Sequence, residues 1–357
     1  MKAARSRKSS RRLGSVGGLL LLSLIVSACG EELPANSLAP ASERARNIDN
    51  LFWLTVIIAA VIFVLVQGAI IYTAIKFRRK KGEPERPVKQ IHGNTRLEIA
   101  WTVVPALILA GLAVPTVQTI FENAEEPVNA INVTVTGHQW WFEYDYTDLG
   151  VITANEMHIP TDRDIFLTLT ADAGDVIHSF WVPRLSGKRD LVPGHTNTLT
   201  ISADTPGLYL GQCAEFCGLS HANMRLRVYA HEPAEFDAWV ESQLAPADVP
   251  SETADEADLR AEGWELFISK GCSACHAING TEAEGGGLNP GPNLTHFAMR
   301  DTFAGSLYDN TTENLRAWLA NPSELKAMEP DLNRGMPNLG LSDDEITALV
   351  AFLQGLE

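Results

Sequence analysis

Residues 213–224 read C-A-E-F-C-G-L-S-H-A-N-M, which gathers two thiols, an imidazole and a thioether within twelve residues. Soft sulfur with a borderline nitrogen suits copper better than magnesium, calcium or manganese. A structural zinc site takes four ligands from Cys and His, without Met. Two thiolates and a Met point instead to copper that cycles between oxidation states. Cys213 and Cys217 are four apart, His221 follows after four and Met224 after three. Gly218 lets the backbone turn between them. A second imidazole must come from a separate loop. His178, in D-V-I-H-S-F-W-V-P, is the best placed; His158 and His195 are alternatives, and His138 lies beside an aromatic cluster.

The sequence around this cluster alternates. I-N-V-T-V-T (131–136), D-I-F-L-T-L-T (164–170), T-N-T-L-T-I-S (196–202) and M-R-L-R-V-Y-A (224–230) have period two and are separated by Gly, Pro and Asp. Many short strands with turn signals between them predict a β-sandwich or Greek-key barrel. Such a rigid frame suits an electron-transfer metal, because it limits ligand movement when the charge changes.

Further on, residues 272–276 read C-S-A-C-H. Two thiols at this spacing with a His directly after them form a c-type haem attachment motif. A zinc half-site would need a second C-x-x-C, which is missing. His276 is then one axial ligand, and a downstream Met the other, raising the potential relative to two His. Met299, Met328 and Met336 are the candidates. L-R-A-E-G-W-E-L-F-I-S-K (259–270) and S-D-D-E-I-T-A-L-V-A-F-L-Q (342–354) read as helices, the second opening with a Ser342–Glu345 capping box. The acidic, apolar-poor stretch 245–258 reads as a linker. E-G-G-G-L-N-P-G-P (284–292) reads as a flexible loop on the haem domain.

Two runs, 51–75 and 99–121, are almost wholly apolar, and each is long enough to cross a bilayer. Membrane helices tolerate Pro105 and Pro115 where neighbours satisfy the freed carbonyls. The connection K-F-R-R-K-K-G-E-P-E-R-P-V-K (76–89) is strongly basic, so the positive-inside rule makes it cytoplasmic. Everything from about residue 122 is then extracytoplasmic. Glu98 stands at the cytoplasmic mouth of the second run; on physical grounds alone an interfacial glutamate in water is the simpler reading. At the N-terminus, six Lys/Arg precede L-L-L-L-S-L-I-V and then S-A-C-G, a secretory signal pattern. An uncleaved signal anchor is the alternative. Charge is uneven: residues 121–244 carry six Lys/Arg against eighteen Asp/Glu, and 245–357 six against nineteen. Phosphate would be repelled there, which argues against nucleic acid and for a basic protein partner. Each of the five cysteines falls inside a motif, so none is left for a structural disulfide.

C-x-E-x-C-x-x-x-H-x-x-M with an upstream H-S-F-W resembles the binuclear copper (CuA) site of cytochrome c oxidase subunit II, and the resemblance covers residues 45–245. The fused C-S-A-C-H domain makes the chain similar to the caa3-type branch. The resemblance implies a two-helix transmembrane hairpin, an all-β cupredoxin-like Greek-key barrel and an all-α class I cytochrome c domain. It implies that Cys213 and Cys217 bridge two coppers. His178 and His221 would bind one each, and Met224 and the Glu215 carbonyl would complete the pair. It further implies a magnesium on the Glu215 carboxylate, shared with subunit I. Trp140, in G-H-Q-W-W-F-E-Y, falls at the family's electron-entry tryptophan; Trp141 and Phe142 depart from its commoner Tyr-Trp. Glu98 falls at the mouth of its proton channel, and G-K-R-D-L-V-P-G (187–194) resembles the loop facing the haem of subunit I.

In the haem domain the resemblance selects Met336, in R-G-M-P-N-L-G, as the axial thioether, with Cys272 and Cys275 as haem thioethers. It gives the Pro292 carbonyl to the axial His276, and Gly263, Phe267 and Phe352 to a crossing of terminal helices. The small residues before Cys29 resemble a bacterial lipoprotein cleavage site, which would leave Cys29 as the lipidated N-terminus. The expected layout is a signal peptide (1–28), an extracytoplasmic segment (29–50), a hairpin (51–121), a cupredoxin domain (122–244), a linker (245–258) and a cytochrome c domain (259–357).

The implied role is electron entry into a haem-copper oxidase of the bacterial plasma membrane. Electrons from a cytochrome c or a quinol–cytochrome c reductase would pass through haem c and the copper pair to subunit I. Oxygen would be reduced there, with proton translocation; subunit III is a further expected partner. A copper and haem protein feeding another reductase, of the nitrous oxide type, is the alternative. A copper-delivery lipoprotein would need neither the haem domain nor the shared Glu215.

Overall fold

The computed structural model describes residues 34–357 except 80, 81, 83–89, 91, 251–257, 285–290 and 333. The signal and lipidation expectations at 1–28 and Cys29 lie outside the described residues, as does most of the basic connection.

Two long helices come first, α1 (Glu43–Lys76) and α2 (Thr95–Ala124). At 1.5 Å per residue they run about 50 and 45 Å, beyond the roughly 30 Å of a bilayer core. Their central side chains are apolar on every face and exposed, the signature of helices whose solvent is lipid. Pro105 and Pro115 both lie inside α2 without ending it.

α1 starts eight residues before the predicted apolar run. Ser42 caps it by accepting from Ala45 N, and its own hydroxyl donates to Leu185 O at 2.6 Å. Arg44 pairs with Asp164 at 2.9 Å, and Ala41 N donates to Arg184 O. The polar foot of the helix is therefore fastened to the β domain and needs no apolar run.

The β domain is a sandwich of two five-stranded sheets. The first holds β1 (Ile131–His138), β2 (Trp141–Tyr146), β3 (Val151–Ala154), β5 (Ile165–Ala171) and β8 (Asn197–Ile201), ordered β3-β2-β1-β5-β8. The second holds β4 (Glu156–Pro160), β6 (His178–Trp181), β7 (Arg189–Leu191), β9 (Gly207–Cys213) and β10 (Arg225–His231), ordered β4-β10-β9-β6-β7. β1 pairs parallel with β5 and β10 parallel with β4, so the chain crosses between sheets as well as closing antiparallel pairs such as β1–β2 and β9–β10. Alternate residues Val133, Val135, Leu167, Leu169, Leu226 and Val228 point inward. Tyr144 and Phe180 fill the centre with an edge-to-face contact.

Helix α3 (Pro233–Leu244) packs beside β4 and β10, and Trp239 stacks on His158. The haem-motif domain begins with α4 (Leu259–Ser269). A short hairpin, β11 (Thr302–Phe303) and β12 (Tyr308–Asp309), interrupts its helices. It is followed by α5 (Thr312–Ala320), α6 (Pro322–Leu325) and α7 (Asp343–Leu353). α4 crosses α7 at Gly263, where an added Cβ would collide with Ala348 O and Phe352 Cβ. Phe267 and Phe352 sit together beside that crossing. Ser342 and Glu345 form the capping box that starts α7.

Candidate copper and haem sites

The copper-type donors converge at one end of the sandwich. β6 opens with His178 and β9 ends with Cys213, and Phe180 of β6 pairs in register with Cys213. The loop after β9 turns back through Gly218, at φ +108°, where a side chain would strike Gln139 and Trp140. A single helical turn, His221–Asn223, then delivers Met224 into the core, fully buried. Cys213 Sγ lies 3.7 Å from Cys217 Sγ, and both thiols are free. Cys217 Sγ is 3.5 Å from His221 Nδ1 and 3.8 Å from Met224 Sδ. Cys213 Sγ is 3.3 Å from Glu215 O.

The donor atoms of His178, Cys213 and Cys217 all lie within 4.8 Å of one another. His178 Nδ1 is buried without a hydrogen-bond partner, while its Nε2 stands 3.2 Å from Asp175 Oδ1. A buried imidazole nitrogen without a hydrogen-bond partner, beside two thiols, suits a soft metal ion. The carboxylate behind it fixes ring orientation, as such partners do at metal sites. Gly137 makes room: a Cβ there would fall 2.8 Å from the His178 ring. The hydrogen bond between the two thiols pulls Cys213 well below the ordinary range, and the same pairing pushes Cys217 up. One negative charge is thus already favoured at the pair before a cation arrives. The set fits copper.

Sequence alone did not place Asp175 or Gln139. Asp175 sits three residues before His178, and the Gln139 amide donates to Cys217 O at 2.7 Å. Trp140, almost fully buried, donates from its indole to the same carbonyl at 3.0 Å. Trp141 stacks on His138 at 4.3 Å. The alternatives for the second imidazole go elsewhere. His158 Nδ1 faces His231 Nε2 at 2.8 Å and stacks on Tyr229 and Trp239, and burial lowers it to about 3. His195 lies in the turn after β7.

In the haem-motif domain, Cys272, Cys275, His276 and Met336 line one cavity of about 460 Å³. His276 Nδ1 is 2.8 Å from Pro292 O, which leaves Nε2 for an iron atom. Gly291 packs so close that a Cβ would sit 2.5 Å from the imidazole, which explains the glycine before Pro292. Met336 accepts from Trp318 Nε1 at 3.2 Å. Met328 lines the cavity too, yet packs against the core of the β domain, and Met299 lies on the surface near Gln243. Arg300 is a half-buried cation on the cavity wall, donating to Asn293 O. A flat apolar slot with two thiols, an imidazole, a thioether and a cation fits a haem carrying two carboxylates. The cavity's far wall is made by His138, Trp140 and Trp141 of the β domain.

Glu98 stands in the first turn of α2, where its carboxylate accepts from Asn94 N at 3.0 Å. That contact is a helix cap. The Glu215 carboxylate lies on the loop between the two thiols, next to the exposed Phe216.

A sandwich holding a soft, buried copper-type donor set, preceded by two membrane-length helices and followed by a haem-motif domain, defines a membrane-anchored copper and haem electron-transfer protein. Residues 36–119 match the transmembrane domain family of cytochrome c oxidase subunit II, 151–230 its periplasmic domain family and 260–357 the cytochrome c family. Cytochrome c oxidase subunit 2 of Alkalihalophilus pseudofirmus is 38% identical over 345 residues, covering 95% of this chain and 96% of that protein. The Bacillus subtilis protein of the same name is 34% identical over 355 residues, at 95% and 96% coverage. The crystal structure of the periplasmic domain of subunit II of cytochrome oxidase from Bradyrhizobium japonicum is 32% identical. It covers 33% of this chain and 95% of that one, with a TM-score of 0.31. The chain belongs to the cytochrome c oxidase subunit II family, with a cytochrome c domain fused at its C-terminus. It is thus a subunit II of cytochrome c oxidase with membrane-anchoring helices.

Proposed function

We propose that this chain is the electron-entry subunit of a caa3-type oxidase in a bacterial plasma membrane. The haem domain takes electrons from a cytochrome c or a quinol–cytochrome c reductase and passes them to the copper domain and on to subunit I. Copper and haem supply the one-electron redox chemistry; the chain's residues hold, orient and insulate them. Cys213 and Cys217 would hold a copper pair, with His178, His221, Met224 and the Glu215 carbonyl completing the set. The Glu215 carboxylate holds a magnesium shared with subunit I, and subunit III joins the complex. Cys272 and Cys275 form thioethers to the haem, and His276 and Met336 bind its iron. The half-buried Arg300 suits a haem carboxylate. Trp140 is the electron-entry residue, and Glu98 stands at the mouth of a proton path. Both helices span the membrane, Cys29 carries lipid, and the domains follow the layout 29–50, 51–121, 122–244 and 259–357.

The observation that carries this reading is the orphaned Nδ1 of His178 beside the unpaired thiols of Cys213 and Cys217, all buried. Electron paramagnetic resonance of the purified complex tests it. The expected spectrum has one unpaired electron coupled equally to two copper nuclei. A spectrum of a single isolated copper would overturn the assignment.

A further inference from the structure

The haem domain is seated on the copper domain by an extensive polar contact. The tip of the β11–β12 hairpin, Ala304–Ser306, inserts beside the copper loop. A Cβ on Gly305 would fall 3.0 Å from Trp140 O and 3.1 Å from Asn223 O, one residue before Met224. Arg225 N, one residue after Met224, donates to Gly305 O at 3.0 Å. The tip is therefore fitted to the main chain on both sides of a proposed copper ligand.

Two buried polar side chains fasten this contact. Lys326, 4% exposed, donates to Trp140 O at 2.7 Å and to Ala304 O at 2.8 Å. Its neighbour Ala327 accepts from Ser220 Oγ, on the other side of the copper loop. Glu156, 2% exposed at the start of β4, takes Asp301 N at 3.1 Å and Thr302 N at 2.7 Å; the Thr302 hydroxyl also donates to it. The lysine crosses from the haem domain and the glutamate from the copper domain. Buried polar groups are costly unless hydrogen-bonded, and here Trp140 O, Asp301 N and Thr302 N supply partners across the domain boundary. A domain merely tethered by a linker would have no use for them. The same contact brings His138, Trp140 and Trp141 into the wall of the haem cavity.

We propose that Lys326 and Glu156 are an interdomain latch that holds the haem domain in one fixed seat on the electron-entry tryptophan. Both are positioning residues: Glu156 and Lys326 hydrogen-bond none of the proposed copper or haem-iron ligands, although Lys326 lines the haem cavity, and they set the separation and orientation of the two redox domains. The proposal rests on the electron-entry reading above, and makes intramolecular transfer depend on these two side chains.

The test uses the whole purified complex with Lys326→Met and, separately, Glu156→Gln. Each variant alters a different domain, so an effect shared by both does not come from misfolding of either one. Hydrogen exchange reads the seat directly: amides in 301–306 and at Arg225 should exchange about tenfold faster, as expected for loss of a buried hydrogen bond. Haem-to-copper electron transfer after rapid photoreduction should slow by about tenfold or more, since misplacement of about 1 Å has effects of that size. The haem and copper absorption bands should be retained. Unchanged exchange and unchanged transfer in both variants would overturn the latch. Absence of copper or haem bands from the unsubstituted complex would instead overturn the functional reading beneath it.

Discussion

The indole of Trp140 donates to the carbonyl of Cys217 at 3.0 Å, which joins the wall of the haem cavity to a residue of the copper loop by one hydrogen bond. Gln139 donates to the same carbonyl. Trp140→Phe therefore removes one of two donors and leaves the carbonyl satisfied. Copper content should hold, while reduction of the copper centre slows by about tenfold or more, because the aromatic wall and the loop are no longer tied together. Stopped-flow reduction of the complex measures the rate; a variant as fast as the parent contradicts the assignment.

The two methionines on the cavity wall are separable by substitution. Met336→Ala should abolish the iron–sulfur absorption band of the haem and lower its midpoint potential, since a thioether ligand raises that potential. Met328→Ala should retain both, because Met328 packs against the copper domain. Redox titration of the two variants gives the answer, and a reversal of roles would reassign the axial ligand.

The order hairpin, sandwich, haem domain was legible in sequence because apolar length, period two and C-x-x-C-H are each local signals. The first helix's start was not. Glu43 to Asn50 are mostly polar, and the cap at Ser42 is made by a hydroxyl that also bonds to Leu185, far away in sequence. Cys213, Cys217, His221 and Met224 were legible because one loop carries them. Asp175, Gln139, Glu156 and Lys326 were not: a buried lysine reads as a surface one until Trp140 O is seen above it. Gly263 was legible only through family resemblance, and its collision partners Ala348 and Phe352 come from the last helix.

That crossing gives a stability prediction. Gly263→Ala puts a methyl against Ala348 O and Phe352 Cβ, and overpacking of this kind costs about 1–3 kcal/mol. The haem domain should unfold several degrees lower in calorimetry, with copper absorption unaffected. An unchanged transition would mean that the helices part freely.

Stability should also depend on pH through Lys326. Burial lowers its amine from 10.5 to about 7. The unfolded chain then holds a proton on this lysine across that window that the folded chain lacks. Stability therefore rises with pH from about 7 toward 10, and Lys326→Met should remove that part of the rise. Thermal midpoints of parent and variant across the window measure it; parallel curves would contradict it.

The central claim is tested most directly by metal and haem analysis of the complex purified from native membranes. The account predicts two coppers and one covalently bound haem c per copy of this chain, co-purifying with a large haem-copper subunit. One copper or none, or the absence of that large subunit, would contradict it.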